Sequence, residues 1–533
     1  MELGIDFGTT YSTLSFNPDL GVDGCVKEAR TVYIPTIIAF RPDGTFCVGN
    51  AALAETGVSL YRDIKRWVGC NYINEKEYRK KLSPSYKVQV NKYECSIGSI
   101  NDPTAPLRRV VVLIALFIKG CISLLQQQTG KTVRFCTCSV PAEYNSFKRS
   151  YVFKACEALN IGVQAVVNEP TAAAFSAFSN ELSDTIKTLI VYDFGGGTFD
   201  TSLLLKSPGY MTVLDSQGDN YLGGRDVDEK LKAEVAKRLA IPVSEISSFV
   251  MEDLKLSLVN KPHISTHEIA TTNGNLLRLN FTAGDFKTLC STFILRAAQL
   301  VDTVLKRNSV SSATAVLIGG SSVLPGVRES LLNIPAIKAI SFTKETYRIA
   351  VAMGAARYAS TFVSTSRFRL VDCVAATLSD DKRPYIAAVV VPKGYVVPCT
   401  VEYDWVMPNF NTALVFHEGE SPNALLNERC YSADLSLNQF KAGTRGKILV
   451  KFSEDGRVSA SFAGQPLVNE VTLATVTSGE LQAKFETLSE RKFRPNVRKY
   501  QMTFEAYSKE TSVSTKSLRE RSDLYKRYGF DGK

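Results

Sequence analysis

Up to about residue 366, short apolar runs alternate with longer stretches whose apolar residues recur at helical spacing. This pattern predicts strands at Thr36–Phe40, Val133–Val140, Leu189–Tyr192, Met211–Ser216 and Ala315–Ile318. It predicts helices at Leu107–Gln128, Ser146–Leu159, Thr171–Ser179, Asp226–Leu239 and Asp285–Arg307. Such alternation implies an α/β architecture. Around Ser366 the texture changes. From about Cys373 to Gln465 the pattern is one of short strands and turns, and Lys447–Phe452 and Arg457–Phe462 flank Glu454-Asp455-Gly456, a hairpin signal. A separate β-domain is expected there. The remainder returns to weak helical character, rich in charge and interrupted by Pro495.

One phrase occurs twice in the α/β region. Gly4-Ile5-Asp6-Phe7-Gly8-Thr9-Thr10 opens the chain, and Val191-Tyr192-Asp193-Phe194-Gly195-Gly196-Gly197-Thr198 lies mid-chain. Each is an apolar strand ending in Asp, a turn of small and hydroxyl residues, and a second strand (Tyr11–Phe16, Phe199–Leu205). An Asp at that junction can hold hydrated Mg²⁺, and glycines let backbone N–H groups close around phosphate oxygens. Two copies predict a duplicated fold with a nucleotide clamped between its halves.

Composition narrows the class. A chain of 533 residues is too long for one core and implies two to four domains. Hydrophobic content of 45% and charged content of 22% are ordinary for a globular protein. The net charge of +10 is uneven, since Glu480 to Lys533 carries 13 Lys/Arg against 8 Asp/Glu. That tail reads as a solvated helical face, or as a docking surface for an acidic partner such as tubulin, a coat protein or RNA. None of the 12 cysteines forms C-x-x-C, and the three histidines (His263, His267, His417) lie away from any cysteine cluster. This argues against structural zinc and for free, mostly buried thiols in a reducing compartment. The first strand begins at residue 3, which leaves no room for a signal peptide. The longest apolar run, Val110 to Ile118, falls short of the roughly 20 residues that cross a bilayer. A cytosolic protein, at most peripherally attached to membrane, is expected.

Other phosphate-binding schemes fail. Gly130-Lys131-Thr132 looks like the end of a Walker A loop, but Leu125 stands where its first glycine belongs. Asp-Phe-Gly also occurs in protein kinases, yet no histidine here is followed by Arg-Asp. What remains is an ordered set of loops. After the first phosphate turn come Asp63-Ile64-Lys65-Arg66-Trp67, then Asn168-Glu169-Pro170-Thr171-Ala172-Ala173-Ala174, the second turn, and Ile318-Gly319-Gly320-Ser321-Ser322. Val351-Ala352-Met353-Gly354-Ala355-Ala356 closes the region with residues small enough for tight helix packing. Singly, Lys65 is a surface lysine and Gly319-Gly320 an ordinary turn. As an ordered set they are specific.

This set resembles the 70-kDa heat-shock chaperones, within the actin and sugar-kinase superfamily. The resemblance covers nearly all of residues 1–366 and continues weakly into the β-domain at His417-Glu418-Gly419-Glu420 and Ile448–Phe462. It implies a duplicated, actin-like (ribonuclease-H-type) ATPase domain over 1–366 and a linker over 367–373. A β-sandwich for peptide binding over 374–470 and a short, basic, partly helical region over 471–533 would follow. It implies ATP/ADP and Mg²⁺ as cofactors, with Asp6 and Asp193 holding the metal through water. Gly8, Thr9, Thr10 and Tyr11, with Gly195, Gly196 and Gly197, would cradle phosphates, and Thr198 and Asp200 would line the cleft. Lys65 would contact the γ-phosphate, and Glu169 would order metal and attacking water. Gly223, Gly224, Gly319, Gly320 and Ser321 would complete the nucleotide site, with Glu252 and Lys255 at ribose and base. Pro141 and Arg149 would relay nucleotide state to the β-domain.

The departures are as informative. Val323 stands where the family packs an Arg over adenine, Arg348 replaces an Asp, and Leu256 replaces a second Arg. Ala165 replaces an Arg that engages J-domain partners, the linker is only Arg369-Leu370-Val371-Asp372, and the C-terminal region is about half a family lid. An ordinary refolding cycle needs J-protein input, linker docking and a lid, so these changes argue against one. The short C-terminus, the altered base pocket and Pro141-Ala142-Glu143-Tyr144-Asn145-Ser146 resemble the branch encoded by closteroviruses, filamentous plant viruses. That branch implies tail assembly at one end of the virion and cell-to-cell movement through plasmodesmata. Coat and other tail proteins would be partners, with microtubules or other host cytoskeleton and RNA as further ones, in host cytoplasm. The alternatives are a cellular chaperone that binds unfolded peptides, and a structural virion protein with a vestigial nucleotide site.

Overall fold

Two sheets with the same strand order carry the N-terminal region. In the first the order is Gly162–Asn168, Phe135–Val140, Glu2–Asp6, Tyr11–Phe16, Arg30–Pro35. In the second it is Ile337–Ser341, Ala313–Ile318, Lys187–Phe194, Phe199–Ser207, Tyr210–Asp219. Each Asp-bearing strand runs parallel to one neighbour and antiparallel to the strand that follows its turn. The repeated phrase is therefore a repeated structure, two lobes related by duplication. The computed structural model describes residues 2–16, 30–130, 132–178, 187–342, 347–361, 369–383 and 385–486.

Each lobe closes its own core. In the first, Leu3, Ile5, Cys136 and Cys138 pack against the helices Val110–Thr129 and Ser146–Ala158. In the second, Ile190, Tyr192 and Leu203 pack against Val301, Val304 and Leu305 of the helix Ala283–Arg307. The helix Val110–Thr129 corrects one expectation. The helix continues beyond the apolar run to 20 residues, and this helix, like Ala283–Arg307, is long and apolar enough to cross a membrane by length and composition. Its hydrophobicity has a local cause, since Val110 to Ile118 are all buried in the first lobe. A helix sunk in a core has no polar face to keep.

Between the lobes, the helix Ala350–Thr361 crosses Glu169–Phe178 and the strand Glu2–Asp6 at backbone contact. A Cβ at Gly354 would stand 1.7 Å from the Ala172 carbonyl oxygen. The small residues of both segments are what let Glu169 reach the cleft.

The β-domain is a sandwich. One sheet orders Ile386–Val391, Leu378–Arg383, Thr412–Glu418 and Glu428–Leu435; the other orders Cys399–Val406, Arg445–Phe452, Val458–Phe462 and Gln465–Leu467. Leu378, Phe416, Tyr431, Ile448, Val450 and Phe462 fill it.

Short as it is, the linker docks. Arg369–Val371 adds to the second lobe's sheet as a sixth strand, parallel to Tyr210–Asp219. Asp372 then accepts hydrogen bonds from the Asn168 amide (3.3 Å) and the Thr171 hydroxyl (3.0 Å). Three paired residues and one buried carboxylate suffice, so brevity does not prevent docking. The described part of the C-terminal region, 471–486, has no helix where partial helix was expected: it is irregular, turns at Ser478–Leu481, and lies against the first lobe that holds it. Pro495 and the basic residues beyond 486 fall outside the described residues.

Candidate nucleotide site

The two phosphate turns face each other across the cleft. The first is pinned from behind: the Thr36 hydroxyl donates to the Gly8 carbonyl (2.9 Å), the Gly8 amide to the Ser12 hydroxyl (3.1 Å), and the Thr36 amide to the Thr10 carbonyl (2.7 Å). The second is held by its carbonyls. Gly195 O accepts from the Gly224 amide (3.1 Å) and the Ser321 hydroxyl (2.8 Å), and Gly196 O from the Arg225 amide (2.7 Å). The Gly195 amide closes its own turn on the Thr198 carbonyl (2.9 Å). A Cβ at Gly196 would come within 2.3 Å of Thr10 Oγ1, and one at Gly197 within 2.6 Å of Thr9. Only glycine allows the lobes to meet there. Thr36 escaped the sequence reading because its role depends on a strand pairing remote in sequence.

Charge gathers beneath these turns. Lys65 Nζ lies 2.7 Å from Glu169 Oε1, and both side chains are 7% exposed. Burial pushes the Asp6 carboxyl up to about 7, helped by the charge of Glu169 and opposed by Lys65 and a hydrogen bond from Ser139. Asp193 and Asp200 are pushed well above the usual carboxylate range, first by burial and then by Glu169. Four carboxyl groups, three of them buried, thus share one lysine, an excess of acid that a cation would relieve. Asp200 Oδ1 and Thr10 Oγ1 are buried without a hydrogen-bond partner among the described residues. An all-oxygen donor set suits a hard divalent ion such as Mg²⁺. No three of these carboxylates converge within 4.8 Å among the described residues. The residues present therefore fit hydrated Mg²⁺.

The remaining candidates line the same cleft. Gly223 packs on Gly197, and Gly319 (φ +82°) sits where a Cβ would lie 2.6 Å from Asp193 Oδ1. Lys255 Nζ is drawn to Asp228 (2.8 Å) and to the Gly224 carbonyl (3.1 Å). Burial raises the Asp228 carboxyl against Lys255, and the charge of Glu252, on the same helix Ser248–Asn260, adds to that rise. At the base end the Gly319 amide donates to the Tyr347 carbonyl (2.9 Å), and the Arg348 guanidinium lies 5.2 Å from the Tyr347 ring centre. Gly320 opens the short helix that carries Ser321 and Val323.

Two further features needed the fold to appear. Asp63–Arg225 (3.2 Å) and Arg66–Asp226 (3.1 Å) bridge the lobes over the cleft, joining residues far apart in sequence. Arg149 donates to Asn168, the residue before Glu169, and to the Tyr144 carbonyl (2.9 Å), while Glu418 of the β-domain accepts from the Ser146 amide (3.0 Å) and hydroxyl (2.8 Å). Away from the cleft, the one group of three metal-ligating atoms within 4.8 Å among the described residues is Cys136, Cys138 and Cys156. These buried thiols touch at 3.6–3.9 Å and fill the first lobe's core. Cys156 joins them from the helix Ser146–Ala158, a meeting the strand pattern could not reveal.

Comparison with known proteins agrees with this architecture. The family model described as Hsp70 protein matches residues 2–383. The movement protein Hsp70h of Grapevine leafroll-associated virus 3 (isolate United States/NY1) is 35% identical over 90% of this chain and 88% of its own length. Movement protein Hsp70h of Beet yellows virus (isolate Ukraine) is 30% identical over 86% of this chain and 81% of its own. The chaperone protein DnaK of Mycoplasma mobile is 26% identical over 89% and 78%. With a family model matched across both lobes and a relative 35% identical along nine-tenths of its length, the chain belongs to the Hsp70 family.

Proposed function

We propose that the chain is a slow Mg²⁺-dependent ATPase that serves virion tail assembly and cell-to-cell movement of a filamentous plant virus. The observation that carries the enzymatic part is the buried Lys65–Glu169 pair beneath two opposed glycine turns, flanked by Asp6, Asp193 and Asp200. Family membership supports ATP hydrolysis in general. Mg²⁺ held at Asp6 and Asp193 would neutralise phosphate oxygens and favour transfer of the γ-phosphoryl group to water, with ADP leaving. Lys65 adds a desolvated positive charge where negative charge builds up, and Glu169 keeps that ammonium aimed. Glu169 also offers an oxygen that can accept a proton from an ordered water. The pinned turns hold their shape without reorganisation, which is what phosphoryl transfer asks of a protein.

The viral part rests on relatives that are movement proteins by name and on the departures at Ala165, Val323 and Arg348. In this reading the protein works in host cytoplasm, at one end of the virion and at plasmodesmata. Its β-domain grips coat or tail proteins, for which exposed Tyr385, Ile386, Val389 and Leu426 provide apolar surface. The basic C-terminal residues would serve microtubules or RNA. The test is a virus carrying Lys65→Ala. The protein should still mark one end of each filament while spread between cells is lost. Undiminished spread would overturn the motor role, and filaments that assemble normally without the protein would overturn the viral one.

A further inference from the structure

We infer that residues 471–486 are a strap that holds the β-domain on the first lobe whatever nucleotide the cleft contains. The strap has no slack. The Asn469 side chain accepts from the Ser432 amide (3.0 Å) and the Glu470 amide donates to the Ser432 carbonyl (2.7 Å), so these two residues belong to the β-domain. The very next residue, Val471, is buried in the core of the first lobe, followed there by Leu473 and Val476. The β-domain cannot swing away without drawing these side chains into water.

From Ala474 onward polar, directional contacts add to the fastening. Arg109 donates to the carbonyls of Ala474 (2.6 Å) and Thr475 (3.2 Å) and pairs with Glu480 (3.0 Å). Lys119 donates to the carbonyls of Leu481 (2.9 Å) and Ala483 (3.0 Å). The strap then joins the free edge of the strand Phe46–Val48: the Phe46 amide donates to Lys484 O, and the Glu486 amide to Phe46 O, each at 3.0 Å. This is a single parallel bridge, Phe46 to Phe485, the start of strand-like pairing by a segment of the same chain. Phe485 meets Phe46 edge to face at 5.5 Å, beside Gly120, where a Cβ would lie 2.7 Å from Val48 and 3.1 Å from the Phe485 ring. A glycine inside a 20-residue helix is unfavourable on its own and is accounted for first by the packing of Val48 and then by Phe485.

The location matters. Other contacts of the β-domain are hydrogen bonds and ion pairs, among them Lys148–Glu428 (2.9 Å), Lys393 to the Ser216 carbonyl (2.9 Å), and Asp372 to Asn168, the last next to Glu169. The strap touches Arg109, the helix Val110–Thr129 and the strand Phe46–Val48, none of them a phosphate loop. A change in the cleft can loosen the first contact and leaves the second intact. The strap thus converts separation of the domains into a limited shift.

The test severs the strap without altering it. A specific protease site is inserted after Val468, which is 83% exposed, in the full-length chain. Hydrogen exchange is followed at the linker strand Arg369–Val371, with no nucleotide, with ADP, with ATP, and in raised salt without nucleotide. The intact chain should exchange slowly in every condition. After cleavage, exchange should quicken with ADP and in salt. Intact chain exchanging as fast as cut chain, or cut chain staying slow throughout, would overturn the strap. Arg109→Ala with Lys119→Ala in the uncut chain should reproduce the cut behaviour. The nucleotide arms rest on the ATPase reading, so equilibrium dialysis with labelled ATP is run beside them. Absence of ATP binding sinks that reading alone, and the salt arm still decides the strap.

Discussion

Gly456, at the tip of a β-domain hairpin, lies so close to Arg149 that a Cβ there would come within 2.9 Å of the Arg149 Cδ. Arg149 is buried and reaches the other way to Asn168, which precedes Glu169. One guanidinium thus touches the β-domain and the strand that delivers a cleft carboxylate. Burial pulls its pKa below the usual arginine range, against the charges of Asp372 and Glu418.

Gly456 has φ +78°, so Gly456→Val adds backbone strain of about 1–3 kcal/mol to the collision with Arg149. The hairpin Arg445–Phe462 should lift, with a lower melting temperature and faster hydrogen exchange in that hairpin. Unchanged exchange there would mean that the contact is incidental.

Glu169→Gln keeps the shape of the side chain and removes its charge. Turnover should fall by about 100-fold or more, the range for a lost proton acceptor, while ATP is still bound. Turnover within a factor of two of the parent would exclude Glu169 from the reaction.

Domain docking should depend on pH through Glu418. Burial raises its carboxyl from 4.5 to about 7, against hydrogen bonds from the Ser146 hydroxyl and amide. A raised folded pKa gives stability that is full below about pH 4.5 and is lost as pH climbs through about 7. The docked interface should therefore weaken between those values. Glu418→Gln should flatten that profile, as read by the melting temperature at pH 5, 6, 7 and 8; an unaltered slope would assign the effect elsewhere.

Gly354→Ala places a methyl where the Ala172 carbonyl already stands. Overpacking costs about 1–3 kcal/mol or more, and here it would push Glu169–Phe178 from its place. Loss of stability and of ATP binding together is expected. A variant of parental stability would show that the two helices separate without penalty.

Much of this was legible because its causes are local. The Asp-Phe-Gly phrases announced both phosphate turns, since a strand ending in Asp before small residues folds alike wherever it occurs. Helix ends fell within a few residues: Ser146–Leu159 was expected against Ser146–Ala158, and Asp285–Arg307 against Ala283–Arg307. The hairpin around Gly456 was plain from its turn residues. What stayed hidden depends on partners remote in sequence. Thr36 pins the first turn only once the sheet is built, and Asp63–Arg225 exists only when two lobes close. Val471, Leu473 and Val476 carry no strong helix or strand signal of their own, because the first lobe holds them. The helix Val110–Thr129 likewise outran its apolar run, since burial rather than periodicity decides its length.

The central claim is that Lys65, Glu169 and the two aspartates form a working Mg²⁺-ATP site. Phosphate release from ATP by the full-length protein tests it most directly, with Mg²⁺, with chelator, and for Lys65→Ala and Asp193→Asn. Slow release that needs Mg²⁺ and vanishes in both variants is predicted. Release that persists in chelator or in either variant, or its absence from the parent protein under every condition, would contradict the account.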